Sequence, residues 1–409
     1  MSKILNNKQS LMLHQLHAIN EAFEFKKYTL YDCFIGECYN EAGRLKQRKT
    51  SDFILHCIQA EQYEAVKRIV YLLHEDNNRN KMLDTTFTIA EHLFESDKRN
   101  FSLPFYDIIV SNGISRNETL AIAYYKRFMI LRDLDTAGAG QEALHQLVEY
   151  LPLLPDGLRF DAYYRILTFY NVLENWPKLL HYAEQLKVMA LAVGQEKYVA
   201  EGWLYESFAH KGMGNFKDAL HATMQYASYG KHYAWVAKCN EFYISIEMGQ
   251  TEHIDELMSI LKEDENQTLL VIPMAIKSFV VNHLLLEAQQ YLTKYHSHVN
   301  ILLAKNEPFY LKHKLRLYQA LSDYYFATNQ LDRAFGYNAM FLKLALKLAH
   351  TRKVEAAVNT FHQYEEYATT EQKNSFKQLF SKEVEVHEKS IYYDHDDSFL
   401  VRFYRSIFY

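Results

Sequence analysis

The sequence predicts an all-α fold of stacked helical hairpins, and three observations predict it. Only 13 Gly and 6 Pro occur in 409 residues, well below the roughly 7% and 5% of an average chain, and sheet-rich folds spend both residues on their many turns. Apolar residues recur at helical rather than alternating spacing along most of the chain. One frame of aromatic and small residues recurs between Ala143 and Ala334. Hydrophobic residues make up 49% and aromatics 15%, enough for a large core, and big rings suit the grooves between packed helices.

In chain order, Leu11 to Phe25, Tyr28 to Lys46, Thr50 to His74 and Met82 to Asp97 each carry apolar residues at helical spacing, for example Ile54, Cys57, Ile58, Ala65, Ile69, Leu72 and Leu73. Runs rich in Asn, Asp, Gly and Pro at 74–81, 100–104, 151–157 and 262–267 mark loops. The segment GWLYESFAHKGMGNFKDAL then places Trp203, Ser207, Gly214, Phe216 and Ala219 in a distinctive order. A large ring opens one helix and a small residue follows a turn later. A Gly-containing turn, an aromatic and a small residue on the next helix complete the set. Two helices approach closely where small residues face each other, and rings fill the groove above and below. This pattern resembles a tetratricopeptide unit, with Trp203 expected at the helix crossing. The frame recurs at Tyr318, Ser322, Tyr325, Leu331 and Ala334, at Tyr163, Leu167, Tyr170, Trp176 and Leu179, and in part around Ile254 and Ala288. The crossing positions Ala143, Leu179, Ala219, Ile254, Ala288 and Ala334 are spaced 34 to 46 residues apart. A periodic array of this kind predicts a right-handed superhelix of degenerate tetratricopeptide-like hairpins.

The organisation expected is an irregular helical region over 1–100, the hairpin array over 101–370, and C-terminal helices over 371–409. The last segment sets Phe399, Leu400, Phe403, Tyr404, Ile407 and Phe408 on one helical face. Such a stripe caps the open apolar face of the last repeat or pairs two chains as a homodimer, since either removes the rings from water.

Several function classes are disfavoured. The net charge of −5 and a pI near 6.4 leave no basic block of the kind that grips nucleic acid. Cys33, Cys38, Cys57 and Cys239 form neither a disulfide framework nor a CxxC pair, which fits reduced core residues of a cytoplasmic protein. Met1 to Ser10 lacks an apolar signal core. The most apolar window, Leu269 to Leu286, is interrupted by Pro273, Lys277, Asn282 and His283, so no membrane span is expected. No nucleophile elbow, phosphate loop, dinucleotide loop or HExxH occurs. His296 and His298 point to different helix faces, and Glu142 with His145 is a single ExxH where a di-metal bundle needs two. No catalytic residue, metal or cofactor is therefore expected.

The concave face of such an array is lined by the first helix of each hairpin. In this frame Tyr164, Asn171, Phe208, Lys211, Lys277 and Arg316 face the groove, and the last three are its cations. Amides pair with a peptide backbone, rings cover its apolar side chains, and a Lys or Arg holds its carboxylate. The candidate ligand is a short peptide.

The degenerate array, the irregular helices before it and the aromatic tail after it together resemble the peptide-pheromone receptors of Gram-positive bacteria and their phages: the Rap-type proteins, the PlcR/NprR-type regulators and the arbitrium receptor AimR. LYDCFIGECYNEAGRLKQRKTSDFILHCIQAEQYEAVKRIVYLL (Leu30–Leu73) is most similar to the helical pair that follows the DNA-binding domain of AimR-type receptors. The resemblance implies an intracellular receptor for a short signalling peptide that switches a regulated protein partner or transcription by changing its superhelix or dimer arrangement, as in quorum sensing or a lysis–lysogeny decision. Transcriptional members begin with a helix-turn-helix domain. Here too few residues precede Leu30, and Leu11–Phe25 holds one clear helix without a basic recognition partner, so DNA stays a possible partner that the charge does not support. A constitutive scaffold that docks protein tails, or a repressor with a divergent N-terminal domain, are the other classes compatible with the sequence.

Overall fold

The computed structural model describes residues 11–25, 30–40, 44–74 and 78–388. Among these the chain forms 21 α-helices and four short 3-10 turns, and the one pairing of extended backbone is an isolated bridge between Tyr39 and Leu45. The chain is all-α, and the scarcity of Gly and Pro is its compositional trace. Two compact units divide it: the described residues up to Leu134 with Glu142–Leu154, and Asp135–Gln141 with Pro155–Glu388.

The first unit contains α1 (Leu13–Ala22), α2 (Tyr31–Ile35), α3 (Gln47–Gln59), α4 (Tyr63–His74), α5 (Arg79–Glu95), α6 (Leu103–Asn112) and α7 (Glu118–Leu134). Phe34, Phe53, Ile54, Cys57, Ile58 and Ile69 are buried in its core. Within Tyr28 to Lys46, α2 is five residues long and passes into a 3-10 turn, Gly36–Cys38. The chain then reverses, with the Lys46 amide donating to the Cys38 carbonyl and the Asn40 side chain accepting from the Arg44 amide. That local side-chain bond competes with the helical ladder. Thr50 to His74 is two helices, because Glu61 adopts a left-handed φ of 56° and the Gln62 amide returns to the Cys57 carbonyl, a helix-ending cap.

After α8 (Ala139–Val148), the second unit runs as consecutive hairpins: α9 (Asp156–Val172) with α10 (Trp176–Ala192), α11 (Glu196–Gly212) with α12 (Phe216–Ala227), α13 (Lys231–Glu247) with α14 (His253–Leu261), α15 (Glu265–Val281) with α16 (Leu285–Lys294), and α18 (Pro308–Ala327) with α19 (Leu331–Lys347). An additional helix, α17 (His296–Ala304), lies between the last two pairs and accounts for the longest interval in the repeat. α20 (Thr351–Gln363) and α21 (Thr370–Glu388) follow. Phe376 of α21 stacks on Phe361 of α20, ring centroids 4.0 Å apart. The stripe Phe399, Leu400, Phe403, Tyr404, Ile407 and Phe408 lies outside the described residues.

All six crossing residues are buried: Ala143, Leu179, Ala219, Ile254, Ala288 and Ala334. At the α11–α12 crossing the Ser207 and Thr223 hydroxyls meet at 2.8 Å, and Thr223 also donates to the Ala219 carbonyl. Two small hydroxyls thus satisfy each other where the backbones approach. Trp203 is not the buried plug expected from its place in the motif. It is half-buried, with the Lys187 ammonium 3.4 Å from its ring centroid and that ammonium also paired with Glu206. The ring therefore closes the edge of the α10–α11 contact as a cation–π partner.

The five hairpin turns share one device. Glu174, Gly214, Gly249, His283 and Asn329 all adopt left-handed φ, between 50° and 97°, and each stands five residues ahead of the buried crossing residue. Gly takes this conformation freely, and Asn with little strain. A residue with a larger side chain gives up about 1–2 kcal/mol there. Glu174 is the acidic member of the set.

Candidate functional site

Within the second unit a cavity of about 610 Å³ opens between the hairpins. Its walls are the C-terminal ends of α11, α13 and α15, the α9–α10 turn, the middle of α18 and the start of α20. Trp176, Pro273 and Met274 give it an apolar side. Gly212, the last residue of α11, lets Trp176 sit there, since a Cβ on that glycine would run into the indole ring.

The polar side is cationic. Lys211, Lys277, Arg316, Arg352 and Lys353 line the cavity against two carboxylates, Glu174 and Glu247. Three helix C-termini add about half a negative charge each, which leaves the cations in excess. This concentration stands in a chain whose net charge is −5.

The centre of the cluster is Glu174. Its side chain is 5% exposed. Arg316 Nε and Nη2 both approach Oε1 at 2.6 Å, and His350 Nε2 lies 3.2 Å from Oε2. A carboxylate only accepts, so that histidine nitrogen carries the proton. Burial opposes ionisation of Glu174, but Arg316, the His350 hydrogen bond and Lys353 outweigh it and hold the carboxyl well below its usual range. For Arg316 burial likewise works against the charge, and Glu174 with Glu247 overcomes it. Glu247 Oε1 is 3.6 Å from Arg316 Nη1.

One helical turn from Arg316, Lys312 is buried and donates to Asn171 Oδ1 at 2.8 Å and, more weakly, to the Asn171 carbonyl. Burial, with Arg316 beside it, lowers its ammonium to about 7. Burial lowers Lys211 and Lys353 in the same direction. Lys211 lies over the rings of Phe208 and Tyr243, 5.5 and 5.3 Å from their centroids. Lys353 donates to Gln319 Oε1 at 2.9 Å. Burial raises Asp323 to about 6 against the pull of Lys277 and Lys353.

Lys211, Lys277 and Arg316, distributed over three hairpins in sequence, thus line one cavity, with Lys277 exposed to it. Tyr164, Asn171 and Phe208 do not line it. Tyr164 packs edge-on against Tyr205, Tyr205 against Phe208, and Asn171 is buried on Lys312. Two details of the groove expectation are corrected. Asn171 directs its side-chain oxygen to Lys312, which leaves its amide committed within the fold. The groove frame also does not contain all the cations of the cavity, since Arg352 and Lys353 line it too, with Lys312 buried beside Arg316. The sequence signal for Lys312 was its i, i+4 spacing to Arg316, which puts both on one helix face. Glu174, His350 and Lys353 had no local signal.

No helix among the described residues is long and apolar enough to cross a membrane, and among them no group of three or more His, Cys, Asp and Glu side chains is placed to hold a metal ion. No protein-family model matches the chain, and no curated protein does. Among solved structures it is similar to a Rap protein complexed with competence and sporulation factor, at 12% identity and a TM-score of 0.48, over 84% of this chain and 98% of that one.

Proposed function

We propose that this chain is an intracellular, non-enzymatic receptor for a short signalling peptide, held in the cationic cavity of its hairpin array, and that the peptide switches the chain's grip on a regulated partner. The observation that carries this reading is the cluster of five Lys and Arg side chains around a partly open space of about 610 Å³, a volume within the roughly 300–1,000 Å³ of small-ligand pockets. Cations gathered with an apolar wall of Trp176, Pro273 and Met274 suit a ligand with a carboxylate and apolar side chains. Lys211, Lys277 and Arg316 meet the carboxylate, and Trp176, Pro273 and Met274 cover the apolar side chains. Calorimetry with short peptides encoded beside the gene tests the reading. The cognate peptide binds wild type, and Lys277→Ala weakens it by about 10-fold or more. Affinities within twofold of wild type for both Lys211→Ala and Lys277→Ala would place the ligand elsewhere.

The receptor acts as a homodimer in this proposal, through the sequence stripe Phe399, Leu400, Phe403, Tyr404, Ile407 and Phe408. Deleting Ser398–Tyr409 then converts dimer to monomer in light scattering. A full-length chain that is already monomeric at micromolar concentration removes the dimer from the proposal.

A further inference from the structure

Glu174 combines three features that a turn residue does not need together. Its backbone is left-handed, where the other hairpin turns of the array use Gly, His or Asn. Its carboxylate is almost wholly withdrawn from water. Its partners Arg316 and His350 lie 142 and 176 residues further along the chain, on and just beyond the last hairpin of the array. With the neighbouring Asn171–Lys312 bond, it ties α9 to α18 across the hairpins between them.

We propose that Glu174 is an internal stand-in for the ligand: it fills the Arg316–His350 subsite in the free chain, and an incoming carboxylate displaces it and releases one of the two ties between the α9 end and α18, leaving the Asn171–Lys312 bond. This deepens the peptide-receptor reading and rests on it. The exchange is chemically even. One carboxylate replaces another on the same donors, so the cations never lose their partner, and Glu174 moves to water, where an ionised group is well solvated. A neutral amide cannot make the exchange, because it would leave Arg316 facing Glu247 alone while Glu174 gave up its partners. Binding at one end of the array is thereby coupled to the contact between its first and last hairpins.

The probe is N-acetylglycine, whose carboxylate is that of a peptide C-terminus, with N-acetylglycinamide as its neutral counterpart. Amide hydrogen exchange is followed in the α9–α10 turn of wild type and Glu174→Gln. In wild type the acid speeds exchange at the turn and the amide does not. In Glu174→Gln the turn exchanges rapidly without ligand, and N-acetylglycine binds about tenfold tighter or more, because the resident competitor is gone. Glu174→Gly, which also relieves the left-handed backbone, replaces the glutamine variant if that fails to fold, with the same expectation. A turn that ignores the acid at saturation, or variants that bind it no tighter than wild type, would overturn the proposal. The two readings separate cleanly. If the acid displaces Glu174 yet no peptide binds, the receptor reading falls and the stand-in survives. If the cognate peptide binds wild type and Glu174→Gln equally, the stand-in falls and the receptor reading survives.

Discussion

Lys312 donates to the Asn171 side-chain oxygen at 2.8 Å across 141 residues of sequence. Both residues are buried. The bond joins the end of α9 to the first half of α18, and it sits beside the Glu174–Arg316 pair, so the same two helices are tied twice. A buried ammonium needs such partners, because taking it out of water penalises its charged form.

Lys312 should make stability depend on pH in the alkaline range. Its folded-state value lies near 7 against an ordinary 10.5. Between these the unfolded chain binds a proton that the folded chain does not, so stability rises as pH climbs through that window and falls as pH drops toward 7. Urea denaturation of wild type and Lys312→Met from pH 6.5 to 10.5 checks this. The difference between them should shift in favour of wild type as pH rises. A pH-independent difference would show an ordinary lysine.

Two of the groove cations, Arg316 and Lys277, should separate on stability. Arg316→Ala strands the buried Glu174 carboxylate, and removing one partner of a buried pair costs about 3–5 kcal/mol. Lys277, exposed to the cavity, should change unfolding free energy by no more than about 0.5 kcal/mol when cut to Ala. Chemical denaturation of the two variants measures this, and near-equal losses would contradict the assignment of Arg316 as Glu174's partner.

Two glycines should respond in opposite ways to alanine. At Gly212 a Cβ collides with the Trp176 ring, and overpacking of this kind costs about 1–3 kcal/mol. At Gly336, inside α19 and exposed, a Cβ meets nothing within 4 Å. Alanine there should stabilise by about 0.5–1 kcal/mol through helix propensity and reduced unfolded-state freedom. Urea midpoints of both variants test the pair.

Thiol reactivity should divide the cysteines. Cys33 is exposed, while Cys38, Cys57 and Cys239 are buried. Burial raises the thiol of Cys38 to about 11 and pushes Cys57 and Cys239 upward as well, which suppresses the reactive thiolate. Ellman's reagent at pH 8 should label one thiol quickly in the folded chain and four after denaturation. Rapid labelling of two or more in native buffer would show that the buried sites open.

The sequence by itself determined the helical class and the register of the array. Sparse Gly and Pro exclude turn-rich sheets. The crossing residues from Ala143 to Ala334 were legible because each hairpin closes on its neighbour through small residues at set positions, a local rule that leaves a local pattern. Lys211, Lys277 and Arg316 belong to the same repeat frame, and all three line one cavity. Trp203 was misjudged because the frame names the helix face but not which partner covers it, and Lys187 on the preceding helix covers part of that ring. The tertiary structure alone decided that Glu174 meets Arg316 and His350, and that Asn171 turns to Lys312 rather than outward. Contacts over 141 to 176 residues depend on small rotations accumulated from hairpin to hairpin. No periodicity within one hairpin carries that sum, so the charge cluster became visible only once the hairpins had stacked.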